Sequence, residues 1–177
     1  MSVDGTILQR LIEAPWRRIW AQGGRIRSYS CHPPGIYSEV ITIESVSGLF
    51  EIDNLPVNVA GGGEEFEIEV SILDEIGTAQ SECLFAPCRK IVNHFPNDLS
   101  IGEFLDRPGI IARLFTDKLD ERCQSAHRAV LFTAGNKSIV FSVDREIPES
   151  VAIASDSRLI SRLLHGLVEC KTNAHYK

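Results

Sequence analysis

The sequence predicts an α+β fold: a single domain over 1–177 in which an N-terminal, a central and a C-terminal helix pack on an antiparallel sheet. Three observations carry that expectation. Apolar residues recur at helical spacing near both ends and in the middle of the chain, period-two alternation fills residues 37–75, and no linker or repeat divides the sequence. With 177 residues, 44% of them apolar and 24% charged, the chain can bury one core. The same composition excludes a disordered polyampholyte, a collagen-like repeat and a disulfide miniprotein.

Residues 6–22 read as the first helix. Ile7, Leu8, Leu11, Ile12, Trp16, Ile19 and Trp20 share one face, Pro15 kinks or restarts it, and Gly23-Gly24 ends it. Pro33-Pro34 then suits neither helix nor central strand. Residues 37–46, 49–53 and 65–72 read as strands of a meander, connected through Gly48 and the Gly61-Gly62-Gly63 run. In the last strand Phe66, Ile68, Val70 and Ile72 fall on one face, with Glu65, Glu67, Glu69 and Ser71 on the other. A weaker strand is expected at 89–95. Ser100 and Glu103 form a capping box ahead of Ile110, Ile111, Leu114, Phe115 and Leu119, which mark the central helix, restarted at Pro108. Gly135-Asn136 between apolar runs signals a hairpin. Residues 151–154 add a strand. Asp156 or Ser157 caps a final helix striped by Leu159, Ile160, Leu163, Leu164, Leu167 and Val168.

Charge is distributed unevenly along this framework. The 18 Lys and Arg against 24 Asp and Glu leave a net charge of −6, which argues against direct binding of nucleic acid or an anionic membrane. Residues 28–88 contain no Lys or Arg, where even spacing would place about six. They hold eleven acids, Glu39, Glu44, Glu51, Asp53, Glu64, Glu65, Glu67, Glu69, Asp74, Glu75 and Glu82, so this segment carries −11. The rest has 18 bases against 13 acids, or +5. On a strand Glu65, Glu67 and Glu69 stand about 6.8 Å apart on one face, with Glu51 and Asp53 on a neighbouring strand. Like charges at that spacing repel by roughly 0.6 kcal/mol in water and about 2.4 kcal/mol at an effective dielectric of 20. A basic protein partner would relieve that repulsion and use the field for fast association. The alternatives are a solvated strand face that discourages edge pairing, Arg89, Lys90 and second-half residues folding back over the acids, or a carboxylate cluster for Ca²⁺, against which no D-x-[DN]-x-[DN]-G loop occurs.

Other chemistry is sparse. Five cysteines, at 31, 83, 88, 123 and 170, are too scattered for a disulfide framework and read as reduced thiols. The N-terminus lacks a basic start and an unbroken apolar run, and no stretch is long enough to span a membrane, so a cytoplasmic location is expected. Cys83, Cys88 and His94, with Cys123 and His127, have poor spacing for zinc, and no metal or cofactor is expected. Cys31-His32 and the Cys123/His127 pair offer the minority reading of a small enzyme or ligand-binding domain. A third reading is an assembly subunit that docks through the Trp16/Trp20 helix. His165, on the final helix, is expected to be a packed or surface residue.

Residues Val130-Leu131-Phe132-Thr133, Ile139-Val140-Phe141-Ser142-Val143-Asp144 and Ile147-Pro148-Glu149-Ser150-Val151, followed by a Leu-rich helix, resemble the small bacterial immunity proteins of polymorphic toxin systems. That resemblance implies a cytosolic, non-enzymatic protein that blocks a toxin domain. It carries no site residues. The expected function is therefore an immunity or inhibitor protein for a basic toxin or nuclease, with Glu51, Asp53, Glu65, Glu67 and Glu69 as partner-binding residues and no catalytic residue. Its partner is a basic protein, with neither membrane nor nucleic acid expected.

Overall fold

The computed structural model describes residues 3–22, 25–27, 35–38, 40–58, 64–73, 89–90, 109–117, 126–143 and 150–170. Asp4 begins the first element. Its carboxylate accepts the Thr6 amide at 2.8 Å, and α1 (Gly5–Glu13) follows, burying Leu8, Leu11 and Ile12. That hydrogen bond holds the Asp4 carboxyl below the usual carboxylate range.

The strands are β1 (Trp16–Gln22), β2 (Arg25–Arg27), β3 (Gly35–Ser38), β4 (Val40–Ser45), β5 (Gly48–Asn58) and β6 (Glu64–Leu73). They continue as β7 (Arg89–Lys90), β8 (Ile111–Asp117), β9 (Ala129–Ala134), β10 (Lys137–Val143), β11 (Val151–Ala154) and β12 (Leu167–Glu169), with α2 (Ser157–Leu163) before the last. They form two antiparallel sheets. Sheet A has the order β6-β5-β4-β1-β7, and sheet B the order β12-β8-β9-β10-β11-β3-β2.

Period two gives each sheet an apolar face, and these faces share one core. Ile19, Ile41, Ile43, Phe50, Ile52, Ile68 and Val70 come from sheet A; Leu114, Val130, Phe132, Ile139, Phe141, Val151 and Ile153 come from sheet B. An aromatic relay crosses it. Trp16 meets Phe132 edge-on at 5.0 Å, and Phe132 meets Phe141 at 5.8 Å. The Trp16 indole N–H donates to the Leu11 carbonyl at 2.9 Å, tying β1 to α1. On the far side of sheet B, Phe115, Ala129, Leu131, Val140 and Ala154 form a second cluster under Leu159, Ile160, Leu163 and Leu164 of the α2 region. Asp156 caps α2 by accepting the Arg158 and Leu159 amides. Among the described residues no helix is long and apolar enough to cross a membrane.

Among the described residues, the expected α+β fold with three helices on one sheet is therefore corrected to a mostly β arrangement of two sheets and two short helices. Three misreadings account for it. Residues 16–22 form β1, not the second half of a helix. The register slips between Trp16 and Arg18, and this bulge puts Trp16 and Ile19 on the same face three residues apart, which imitates a helical repeat. The central helix is β8. Leu114 enters the main core while Phe115 packs under α2, so an adjacent apolar pair serves two opposite faces. The last helix stops at Leu163, and Gly166, at φ 84°, turns the chain so that Leu167 and Val168 lie in β12.

Other expectations stand. The 135–136 hairpin joins β9 to β10, with Gly135 at φ 61°. Strand 65–72 is found as β6, strand 49–53 within the longer β5, and β11 falls at Val151–Ala154. Residues 37–46 divide between β3 and β4 in different sheets. Of the strand expected at 89–95 the described part is β7; the capping box and the glycine run lie outside the described residues.

Two truncations on β8 separate strand from helix. Leu114→Ala should cost about 2–5 kcal/mol in urea unfolding, whereas Ile111→Ala, at a side chain 58% exposed, should stay within about 0.5 kcal/mol. Comparable losses at both positions would restore the helical stripe and contradict β8.

Candidate interaction face

The core claims one parity of β4, β5 and β6, and the acids take the other. In the β5–β6 register Glu51 stands opposite Ser71, Asp53 opposite Glu69, Leu55 opposite Glu67 and Val57 opposite Glu65. In the β4–β5 register Thr42 faces Glu51 and Val40 faces Asp53. All five residues singled out from the sequence thus occupy one side of sheet A, with Glu44 on the same side of β4. The side chain of Glu65 is not among those described.

Their surroundings differ. Glu51, Asp53 and Glu69 are half-buried. Glu67 is only 5% exposed, so it is not a solvated member of the face as its alternation suggested. Glu44, Glu51 and Glu67 are each already engaged in an interaction within the chain. The remaining described pair is Asp53 and Glu69, directly opposite each other across neighbouring strands, where side chains stand about 5 Å apart at Cβ. Burial pushes the Asp53 carboxyl above its ordinary value, and the facing Glu69 carboxylate adds to the rise. The Asn54 amide, donating to Asp53 Oδ1 at 2.7 Å, works in the opposite direction.

Two basic residues occupy backbone register positions at the far edge of this sheet. Arg18 on β1 stands opposite Glu44, and Lys90 on β7 stands opposite Trp20. Those register positions share the parity of the acids. From β6 to β1 is three strand spacings, about 14 Å, which exceeds the screening length of about 8 Å at physiological salt. At that separation screening leaves the β5–β6 end of the face acidic. The face therefore grades from acidic positions on β6 and β5 to basic positions on β1 and β7.

A polar seam at the same end of the molecule had no local signal in the sequence. The Ile68 amide donates to the His127 carbonyl at 2.7 Å, joining β6 to the segment before β9. Arg128, mostly buried, donates from Nε to Asp117 Oδ2 at 2.7 Å and from Nη1 to the Phe66 carbonyl. These bonds occupy the middle of the outer edge of β6 and hold it against sheet B.

The cysteine and histidine candidates do not assemble within the described residues. Cys31, His32, Cys83, Cys88, His94 and Cys123 lie outside them. Cys170 and His127 are buried, and His165 is exposed. Trp16 is fully buried on a strand, so the expected Trp16/Trp20 docking helix is not formed. Compared with family models, curated proteins and solved structures, the chain matches none.

The Asp53–Glu69 pair makes a sign-definite prediction. A raised carboxyl pKa means that the fold retains a proton which the unfolded chain releases. Ionising Asp53 therefore costs stability as pH rises from the ordinary carboxylate range through the raised value. Carbon-detected NMR titration should show Asp53 above that range, with Glu69→Gln moving it part of the way down, because burial remains. No movement in Glu69→Gln would remove the pair from the account.

Proposed function

We propose that the chain is a non-enzymatic cytosolic binding protein that neutralises a basic partner, a toxin or nuclease domain, through the β4–β5–β6 side of sheet A. One observation carries the proposal. The strand registers put Glu51, Asp53, Glu65, Glu67 and Glu69 on one side of a rigid sheet, in a segment of 61 residues that contains no base. The resemblance of residues 130–151 to bacterial immunity proteins points the same way.

The residues divide the work by burial. Asp53 and Glu69 are the contacts: a partner Lys or Arg between them relieves their mutual repulsion and the desolvation that burdens Asp53. Glu51 flanks them on the neighbouring register position, and Glu65 extends the row toward the end of β6. Glu67, buried between them along the strand, contributes field more than contact. The graded charge across the sheet gives a partner a preferred orientation, with its most basic surface over β5 and β6.

The test is titration calorimetry against a panel of purified basic toxin and nuclease domains, at about 50 and about 300 mM salt. Affinity should fall with salt, and Asp53→Lys/Glu69→Lys should weaken binding by at least about tenfold while the melting temperature confirms a folded variant. Wild-type affinity in that double variant would sink the proposal.

A further inference from the structure

His127 is a buried ionisable group that the acidic face does not use. Its side chain is 5% exposed, and its Nδ1 accepts the backbone N–H of Val3 at 3.2 Å, from 124 residues earlier in the chain. A backbone N–H can only donate, so Nδ1 presents a lone pair and the proton of the neutral ring sits on Nε2. Protonating Nδ1 converts the acceptor into a donor and sets two N–H groups against each other. The bond to Val3 then cannot persist.

What that bond secures is the segment leading into α1. Val3 is 7% exposed within the main core, and the next residue, Asp4, caps α1 and accepts the Leu8 amide at 3.0 Å through its carbonyl. α1 packs against β6 and β8, which belong to different sheets. The carbonyl of His127 also accepts the Ile68 amide of β6. One residue thus ties the N-terminal segment and the edge of sheet A to the segment leading into sheet B.

We propose that His127 is a pH-operated latch on the N-terminal segment, closed while the imidazole is neutral and released when it is protonated. The charged groups on the elements around it shift the balance without replacing the lost acceptor. Arg128 disfavours a second cation nearby, but its guanidinium is already committed to Asp117 and the Phe66 carbonyl. The carboxylates on the neighbouring strands are Asp117 on β8, itself paired with Arg128, and Glu67 on β6. Asp4 is held by the Thr6 amide, while at the far end of α1 Arg10 donates to the Ser47 carbonyl and Glu13 accepts from Gln9. None of these gives Val3 a new partner.

The experiment is amide hydrogen exchange of Val3 and α1 from about pH 8 to about pH 5, corrected for intrinsic rates, in wild type and in His127→Asn. Asn places a non-titrating acceptor near the position of Nδ1. Wild-type exchange at Val3 should rise about tenfold per pH unit once the imidazole titrates, with the first turn of α1 following, and should stay flat in His127→Asn. Equal profiles in the two proteins, or pH-independent protection of Val3 in wild type, would overturn the latch. Should His127→Asn fail to fold, the imidazole nitrogen spectrum of the wild-type chain decides. Unprotonated Nδ1 at about pH 8 and doubly protonated imidazole at about pH 5 support the latch. A ring protonated on Nδ1 at the higher pH, or neutral at the lower, contradicts it.

Discussion

The contact of Trp16 with Phe132 joins a strand of one sheet to a strand of the other, and the remaining architecture is arranged around it. Burying aromatic side chains of this size removes about 150–250 Å² each from water, of order 4–6 kcal/mol per ring as an upper estimate. Sheets A and B must therefore present their apolar parities to each other. Once Ile41, Ile43, Ile52, Ile68 and Val70 are committed to the core, period two commits Glu51, Asp53, Glu67 and Glu69 to the opposite side of sheet A. A one-residue slip of β6 would put a row of carboxylates into the core, where each unpaired charge costs far more than a strand pairing returns. The placement of the acids is thus a consequence of core packing, and the proposed partner face is what that packing leaves outside.

Legibility in the sequence followed the local regularity of each element. β6, with uninterrupted alternation, and the β9–β10 hairpin, with Gly135-Asn136 at its turn, could be read directly. β1 could not, because the bulge after Trp16 restores a helix-like spacing to Trp16 and Ile19. β8 was hidden by its two buried faces, since Leu114 and Phe115 look like neighbours on a stripe when they point into different clusters. Alternation puts Glu51, Asp53, Glu67 and Glu69 on one side, and the strand registers agree. Alternation reports which side a residue takes and says nothing of what approaches that side. Glu67 shows the difference. The seam through His127, Arg128, Asp117 and Phe66 joins positions up to 62 residues apart, and such pairings leave no periodic trace.

Burial also changes the character of the acidic side. A fully solvated row of glutamates would be a diffuse field, strongly screened and of little specificity. Asp53 and Glu69 are half-buried and face each other, so their unfavourable energy is local and is relieved by a cation at one place. The basic positions Arg18 and Lys90 lie across the sheet, near enough to orient a partner and too far to neutralise the pair. The His127 latch lies at the other border of the same sheet, where β6 meets the segment before β9. Its action concerns the N-terminal segment, and it is separable from partner binding by experiment.

The most direct test of the central claim is to map where a basic partner sits. Amide chemical shifts of the labelled chain should be followed as the basic domain is added. Perturbations should centre on residues 51–55 and 65–71 and fade across β4 toward β1. Perturbations centred instead on β9, β10 or α2, with those of β5 and β6 unmoved, would contradict it.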